Sequence, residues 1–331
     1  MLVTGPNGVG KTNLLEALHV GSQGFSPRTR AEAQLVRFEA PAARVTIRGR
    51  ERGAPVESQV TLTRGEPKRV RLNGAPLASA EELRTRLAAL VFVPDRLAVV
   101  KGGPIVRRAY FDRMLGRLWP ARAALPSEYG RALAQRNESL RRARAGFSGL
   151  DAVAPWTDRV VALGTELDRA RSELVAPLAP GFAERAETLG LERAELAYEA
   201  DPPTAEALAA RLESDLRRGV TSAGPHLRDV GITAGGRDLR SFGSQGEQRT
   251  GVLALVLAEA DLVAEVRGAA PLLLLDDVLS ELDEGRRRAL LGGLPPQSQT
   301  VVTATSSGAL PTAGPEPSLV VNVRPGEATR A

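Results

Sequence analysis

The spacing of apolar positions changes several times along the chain, and each change predicts an element. Leu2-Val3-Thr4 is followed by a glycine-rich turn and then by Leu14, Leu15 and Leu18 at helical spacing, which predicts strand, loop and helix. From Arg44 to Leu77 the period falls to two, with Val45 and Ile47, Val60 and Leu62, and Val70 and Leu72 on alternate positions. Turn formers at Arg64-Gly65 and Asn73-Gly74 divide this stretch into an antiparallel meander. Ser79 with Glu82 three residues on is a capping box opening a helix to Leu87, and Ala89 to Val93 is a short buried strand. Helical patterns dominate from about Arg107 to Leu216, over Glu128 to Arg144, Ala154 to Leu178, Gly181 to Leu189 and Pro203 to Arg218. Two of these are long and join around Gly146-Phe147-Ser148-Gly149, which predicts a short antiparallel arm. Sustained heptads are lacking, so a long coiled coil is not expected. In the last third, Ser241 to Arg249 leads into an apolar helix, Gly251 to Val263. Leu272 to Leu275 is a buried strand, Glu284 to Leu291 a basic helix, Thr300 to Thr305 a further strand, and Leu319 to Val323 a weak one.

Composition narrows the class. A length of 331 residues suits about two domains. The absence of cysteine excludes disulfides and thiolate metal sites and suits a reducing cytoplasm. No apolar run reaches the roughly 18 residues of a membrane span, so a membrane role is not expected. The net charge of +5 is compatible with a polyanionic partner, although most of the positive charge is arginine in an alanine-rich chain, as a GC-rich genome would give.

The chemistry begins with Gly5-Pro6-Asn7-Gly8-Val9-Gly10-Lys11-Thr12-Asn13, a complete phosphate-binding loop between strand and helix. The glycines let backbone N–H groups approach phosphate at a helix N-terminus, Lys11 supplies a cation, and Thr12 offers a hydroxyl to Mg²⁺. The four leucines of 272–275 run into Asp276-Asp277, a buried strand delivering carboxylates to its C-terminal edge. There Asp276 is the candidate Mg²⁺ ligand and Asp277 the candidate residue to orient or deprotonate water, with Lys11 as its catalytic partner. Ser244-Gln245-Gly246 at a helix start offers a hydroxyl and close-approach N–H groups to a γ-phosphate, while an ordinary N-cap would look the same. The cluster Arg64, Lys68, Arg69 and Arg71 reads as a solvated sheet edge.

The order phosphate loop, long insertion, Ser-Gln-Gly-Glu-Gln-Arg and Leu-Leu-Leu-Asp-Asp-Val-Leu-Ser-Glu-Leu-Asp resembles the ABC-type ATPases of chromosome maintenance and repair. In detail it resembles the RecF family, over Gly5 to Ala17 and the arginine loop behind it, Gly103 to Asp112, Gly224-Pro225-His226, Ser244 to Arg249 and Leu273 to Asp283. The resemblance implies an α/β fold: a phosphate-loop ABC-type ATPase head with a mixed sheet, an antiparallel β subdomain and an inserted helical arm. It implies a first half-lobe over residues 1–95, a helical arm over 96–218, and the second half of the ATPase lobe over 219–331. It further implies two ATPs held in a head-to-head dimer, with Ser244 and Gly246 of one copy facing the γ-phosphate on Lys11 of the other. Family members bind gapped DNA when loaded with ATP and hydrolyse ATP slowly. They act with RecR and RecO in loading RecA during gap repair and the SOS response. Arg28, Arg107 and Arg108 become the candidates for DNA contact.

Three departures accompany the resemblance. His226 is followed by Leu227-Arg228-Asp229 where the family reads Arg-Asp-Asp, and Pro94-Asp95-Arg96-Leu97 stands where it reads Pro-Glu-Asp-Leu. About three dozen family residues ahead of Met1 have no counterpart, and they would be expected to supply the strands flanking Met1 to Thr4 and part of the adenine pocket. A chain without them is expected to fold marginally and bind ATP poorly. A transporter ATPase is disfavoured because its Ser-Gly motif lies nearer the phosphate loop and a histidine usually follows its acidic strand, where Thr303-Ala304-Thr305 stands here. A condensation-type head would need hundreds of coiled-coil residues, and a nuclease-coupled ATPase a second acidic cluster.

Overall fold

The computed structural model describes the chain except for Arg30, Arg52, residues 94–96, Glu281, residues 296–297 and residues 312–313, with Glu51 described in its backbone only. The Asp95-Arg96 departure, Arg30 of the arginine loop and the glutamate of Ser-Glu-Leu-Asp thus lie outside the described residues. The chain forms two units, one of Met1–Lys101, Gly181–Ala194 and Ala234–Ala331, the other of Gly102–Pro180 and Glu195–Thr233. The breaks therefore fall at other residues than the pattern suggests: Gly181–Ala194 returns to the first unit, and residues 219–233 belong to the second.

The first unit starts with β1 (Leu2–Thr4), α1 (Lys11–Gln23), β2 (Ala42–Glu51), β3 (Ala54–Thr63), β4 (Arg69–Leu72), β5 (Ala75–Pro76), α2 (Ala80–Arg86), β6 (Ala89–Phe92) and α3 (Ala98–Lys101). The chain goes on through the second unit as α4 (Pro104–Leu118), α5 (Leu125–Arg144), α6 (Ala154–Thr188), β7 (Ala194–Tyr198), α7 (Ala205–Ala210), α8 (Leu212–Arg218) and β8 (Val230–Ala234), with α6 from Gly181 on and the terminal residues Ala194 and Ala234 belonging to the first unit. The chain returns as β9 (Arg237–Asp238), α9 (Leu239–Phe242), α10 (Gln245–Arg267), β10 (Leu272–Leu275), α11 (Glu284–Gly292), β11 (Thr300–Ala304), β12 (Val320–Arg324) and β13 (Glu327–Arg330).

Six strands of the first unit form one sheet in the order β13-β12-β1-β11-β10-β6, parallel except for the β12–β13 pair. β1 is paired on both sides, Val3 with Thr303 of β11 and with Val321 of β12. The expectation that residues ahead of Met1 supply the strands flanking β1 is therefore corrected: the last third of the chain supplies both. A strand enclosed by two parallel neighbours is buried on both faces, which is why Leu2, Val3 and Thr4 are all buried with no alternation. Leu15 of α1 joins Val3, Val91, Leu274, Val301 and Val323 in one core cluster, each such side chain contributing about 1.5–3 kcal/mol on burial.

The meander matches the period-two reading, with β2, β3, β4 and β5 adjacent and antiparallel. Its inner face packs Val60, Leu62 and Val70 against Val20 at the end of α1 and Leu83 of α2, so α1 serves both sheets. The basic cluster on it is more than a solvated edge. Lys68 pairs with Glu32, Arg69 with Glu66, and Arg64 donates to the carbonyls of Val36, Arg37 and Ala40.

In the second unit α5 and α6 form the antiparallel arm, since Arg136 of α5 donates to Thr157 of α6, and Arg122, just ahead of α5, donates to Glu173 further along α6. The break expected between Leu178 and Gly181 does not occur, and α6 runs for 35 residues through Pro177 and Pro180. Each interior proline costs about 3 kcal/mol. Buried Leu174, Val175, Leu178, Phe182 and Ala186 on both sides of them offset that cost. Among the described residues, no helix is long and apolar enough to cross a membrane.

Candidate nucleotide site

The phosphate loop is the link from β1 to α1, and its glycines adopt backbone that other residues resist. Gly5, Gly8 and Gly10 have φ of 155°, 78° and 113°. A Cβ on Gly5 would lie 2.7 Å from the carbonyl oxygen of Val323, so this glycine also lets β12 pass close behind the loop. A Cβ on Gly8 or Gly10 would meet nothing within 4 Å, so that side of the loop faces open space. Pro6, Asn7 and Gly8 are exposed, Val9 packs on the core cluster, and Gly10 caps α1 with its carbonyl accepting from the N–H of Leu14. Lys11 is 8% exposed and donates to the carbonyls of Gly5 at 2.7 Å and Pro6 at 2.9 Å, which holds its ammonium over the loop. Thr12 is half-buried on the first turn beside exposed Asn13.

Two strands away on the same edge, β10 delivers Asp276 and Asp277. β11 lies between, and parallel neighbours about 4.8 Å apart put the strands β1 and β10 about 10 Å from one another across the sheet. Thr303 on that intervening strand is fully buried; its hydroxyl donates to Asp276 Oδ1 and accepts the N–H of Asp277, both at 2.8 Å. Asp277 has φ of 48°, a left-handed conformation strained for a residue with a Cβ. Its carbonyl accepts from Arg249 and from Ser280, so three donors and acceptors pin the strained peptide. Thr303 was legible in the sequence only as the end of a strand where a transporter ATPase usually carries a histidine, and Arg249 only as part of a motif.

A hydroxyl on Thr12 and a carboxylate on Asp276 are hard oxygen donors, the chemistry Mg²⁺ prefers, and a Mg²⁺ that keeps phosphate and water ligands asks for few protein groups. With the open glycine side of the loop and an ammonium held over it, the residues fit a Mg·nucleotide.

Ser244 is the N-cap of α10: its hydroxyl accepts the N–H of Glu247, and the Glu247 carboxylate accepts the N–H of Ser244 at 2.7 Å. The Ser244 backbone N–H first, and the Ser244 hydroxyl second, hold the Glu247 carboxyl below its ordinary range. Ser244, Gln245 and Gly246 are all exposed. Gly246 borders a small cleft with Phe92, Arg249, Thr250, Leu253, Val278, Leu282 and Arg286, none of them from the phosphate loop. The serine-glycine turn is therefore exposed, and the cleft it borders takes no residue from the phosphate loop.

The candidate arginines fare differently. Arg28 is partly exposed and touches Glu16 and Asn13 at 3.4 Å, on the wall of an open cleft of about 480 Å³ lined also by Thr29, Gln34 and Leu35. Arg107 is 4% exposed and ion-paired with Asp229 at 2.8 Å. The expectation that it contacts DNA is corrected, because a buried guanidinium already neutralised by a carboxylate is not presented to a phosphate. Arg108, half-buried beside it, donates to the carbonyl of Arg228. The Leu227 departure is absorbed locally: Leu227 turns outward to 57% exposure, Arg228 pairs with Asp201, and Asp229 still reaches Arg107.

A parallel sheet carrying a phosphate loop on one strand and a threonine-anchored acidic pair two strands away, with a helical arm inserted between the two halves, defines the head of an ABC-type ATPase. A family model described as RecF/RecN/SMC N terminal domain matches residues 1–327. The DNA replication and repair protein RecF of Heliobacterium modesticaldum is 34% identical over 318 residues, which covers 92% of this chain and 86% of that protein. The protein of the same name from Anaeromyxobacter sp. (strain K) is 40% identical over 336 residues, with coverage of 95% and 89%. The solved structure of the recombination mediator protein RecF with ATP, of the RecFOR pathway, superposes with a TM-score of 0.85 at 26% identity, covering all of this chain (100%) and 91% of that one. An SMC head bound to the winged-helix domain of ScpA, at a TM-score of 0.56 and 15% identity, shares the fold. The chain belongs to the RecF family.

Proposed function

We propose that the chain is an ATP-gated DNA-binding protein of recombinational repair, working in the cytoplasm. ATP lies on Gly5 to Thr12, with Lys11 on its β- and γ-phosphates. Thr12 and Asp276 would hold Mg²⁺, which would supply charge neutralisation to the phosphates. Asp277 orients the water for a slow hydrolysis that resets binding. Ser244 and Gly246 of a second copy close over the γ-phosphate, so that ATP joins two copies into a dimer that grips gapped duplex or a single-strand junction, with RecO and RecR as partners in RecA loading. Arg28 and Arg108 are the remaining candidates for phosphate contact on DNA. The observation that carries this reading is the Thr303 bridge, which fixes Asp276 at the end of β10, on the sheet edge that also bears the phosphate loop. The exposed serine-glycine helix start supports the dimer.

The test is a gel shift on gapped DNA with and without Mg·ATP. Wild type is expected to be retained only with ATP, Lys11→Ala not to respond to ATP, and Asp277→Asn to keep ATP-dependent retention without turnover. Equal retention by wild type and Lys11→Ala would overturn nucleotide gating. Arg28→Gln is expected to lower the salt slope of binding by about one, as the loss of one phosphate contact does.

A further inference from the structure

Phe38 is 91% exposed, the most exposed large apolar side chain among the described residues. It is held there by construction. Arg37-Phe38-Glu39-Ala40 closes as a turn with the N–H of Ala40 donating to the carbonyl of Arg37 at 3.1 Å, and Glu39 at its third position has φ of 65°. That position of such a turn favours glycine, and a glutamate there persists only when its surroundings impose it. Arg64 does so from the β3–β4 hairpin: its Nε donates to the carbonyl of Ala40, and its Nη2 to those of Val36 and Arg37, all between 3.2 and 3.3 Å. Buried Val36 anchors the near end of the turn in the meander core. The result is an aromatic ring standing in solvent on a turn whose backbone Arg64 braces, with exposed Arg37 before it and exposed Glu39 after it in the chain, a few residues on from Gln34 and Leu35 of the cleft that Arg28 lines.

The geometry points to Phe38 as a stacking platform for an unpaired nucleobase, with Arg37 on the adjoining phosphate. This rests on the DNA-binding reading and adds to it the feature that separates a gap from intact duplex. An exposed planar ring beside arginines is how single strands are held without sequence preference, because every base offers a π-face and every linkage a charge. A base stacked inside a continuous duplex presents no free face, so the ring discriminates by strand state. A turn with a strained glutamate and a guanidinium brace keeps the ring outward rather than folded onto its own surface, which is what a platform needs and an incidental surface phenylalanine does not.

The experiment compares wild type, Phe38→Ala, Phe38→Trp and Arg64→Gln by fluorescence anisotropy in Mg·ATP, on a gapped duplex, on oligo(dT) and on the fully paired duplex. Phe38→Ala, at a solvent-exposed site, is expected to lose about tenfold or more in affinity for the gapped duplex and oligo(dT), in line with stacking worth about 1–3 kcal/mol per base, with the paired duplex unchanged. Phe38→Trp is expected to keep affinity and to lose tryptophan fluorescence on binding oligo(dT). Arg64→Gln is expected to share the gap-specific loss in part. Gapped binding equal to wild type in Phe38→Ala overturns the proposal and leaves the ring to a protein partner. An equal loss on paired duplex also overturns it, since stacking would then not be the cause. Wild type that binds none of the three DNAs removes the DNA-binding reading itself, whereas failure of Phe38 alone leaves that reading standing.

Discussion

Thr303 Oγ1 donates to Asp276 Oδ1 and receives the N–H of Asp277, so one hydroxyl of β11 sets both carboxylate residues at the end of β10. Thr303→Val keeps the shape and removes both bonds, leaving a buried carboxylate oxygen and a strained peptide N–H without that partner. A hydrogen bond to a charged group is worth about 1.5–3 kcal/mol. Urea unfolding is expected to show a loss of that order, and ATP turnover to fall further than ATP binding, because Asp277 loses its brace. Thr303→Ser should restore most of both, and a Thr303→Val protein with wild-type turnover would refute the role.

The N-cap role of Ser244 and its proposed role at a γ-phosphate are separable. As N-cap of α10 its hydroxyl can be replaced by a carboxylate, since aspartate caps as well as serine. As a group facing a γ-phosphate it cannot, because like charges repel. Ser244→Asp is therefore expected to keep the melting temperature within a few degrees while abolishing ATP-dependent dimer formation in sedimentation. A dimer that survives the substitution would leave Ser244 a cap only.

Arg136 and Asp215 are both fully buried and meet at 3.0 Å, with Thr157 accepting from Nε and Thr221 from Nη1, while the buried Nη2 finds no partner among the described residues. Removing one partner strands the other charge: Asp215→Leu or Arg136→Met alone is expected to cost about 3–5 kcal/mol in urea unfolding. The double variant should recover much of this, because an apolar pair of similar volume escapes the desolvation cost. Equal losses in single and double variants would show that the surrounding packing, not the charge, sets the stability of the arm.

His226 provides a pH dependence. Its Nδ1 accepts from Tyr129 at 2.7 Å and its Nε2 donates to the carbonyl of Thr221 at 3.0 Å, which fixes a neutral tautomer. Burial lowers its pKa below the ordinary value of 6.5. Burial likewise pushes the Tyr129 phenol up, so the tyrosine stays protonated as donor. Because the unfolded chain binds the proton more readily, stability from this group is complete above about pH 6.5 and declines as pH falls below it, levelling off below the folded pKa. His226→Gln should flatten that part of the stability curve in pH-resolved denaturation.

The phosphate loop, the meander and the arm were legible in the sequence because each is fixed by local chemistry. Gly5, Gly8 and Gly10 permit backbone that a Cβ resists, a period of two alternates faces, and turn formers end strands whatever lies around them. What sequence could not say was which partner each side chain finds. Arg107 and Arg28 look alike in the chain, yet one is buried against Asp229, 122 residues away, and the other lines a cleft. β13 pairs at an edge with every residue exposed, so it has no hydrophobic pattern to detect. Pro177 and Pro180 signal a break that buried neighbours override.

By itself, then, the sequence determined the phosphate-binding chemistry of this protein, because phosphate recognition depends on a few residue types in short, contiguous order. The tertiary structure decided the rest: that β1 is enclosed by strands from the far end of the chain, that Thr303 orients the acidic pair, and that Arg64 braces Phe38 outward. Those are contacts between residues tens to hundreds of positions apart, set by packing and by the hydrogen bonds that buried polar groups must find.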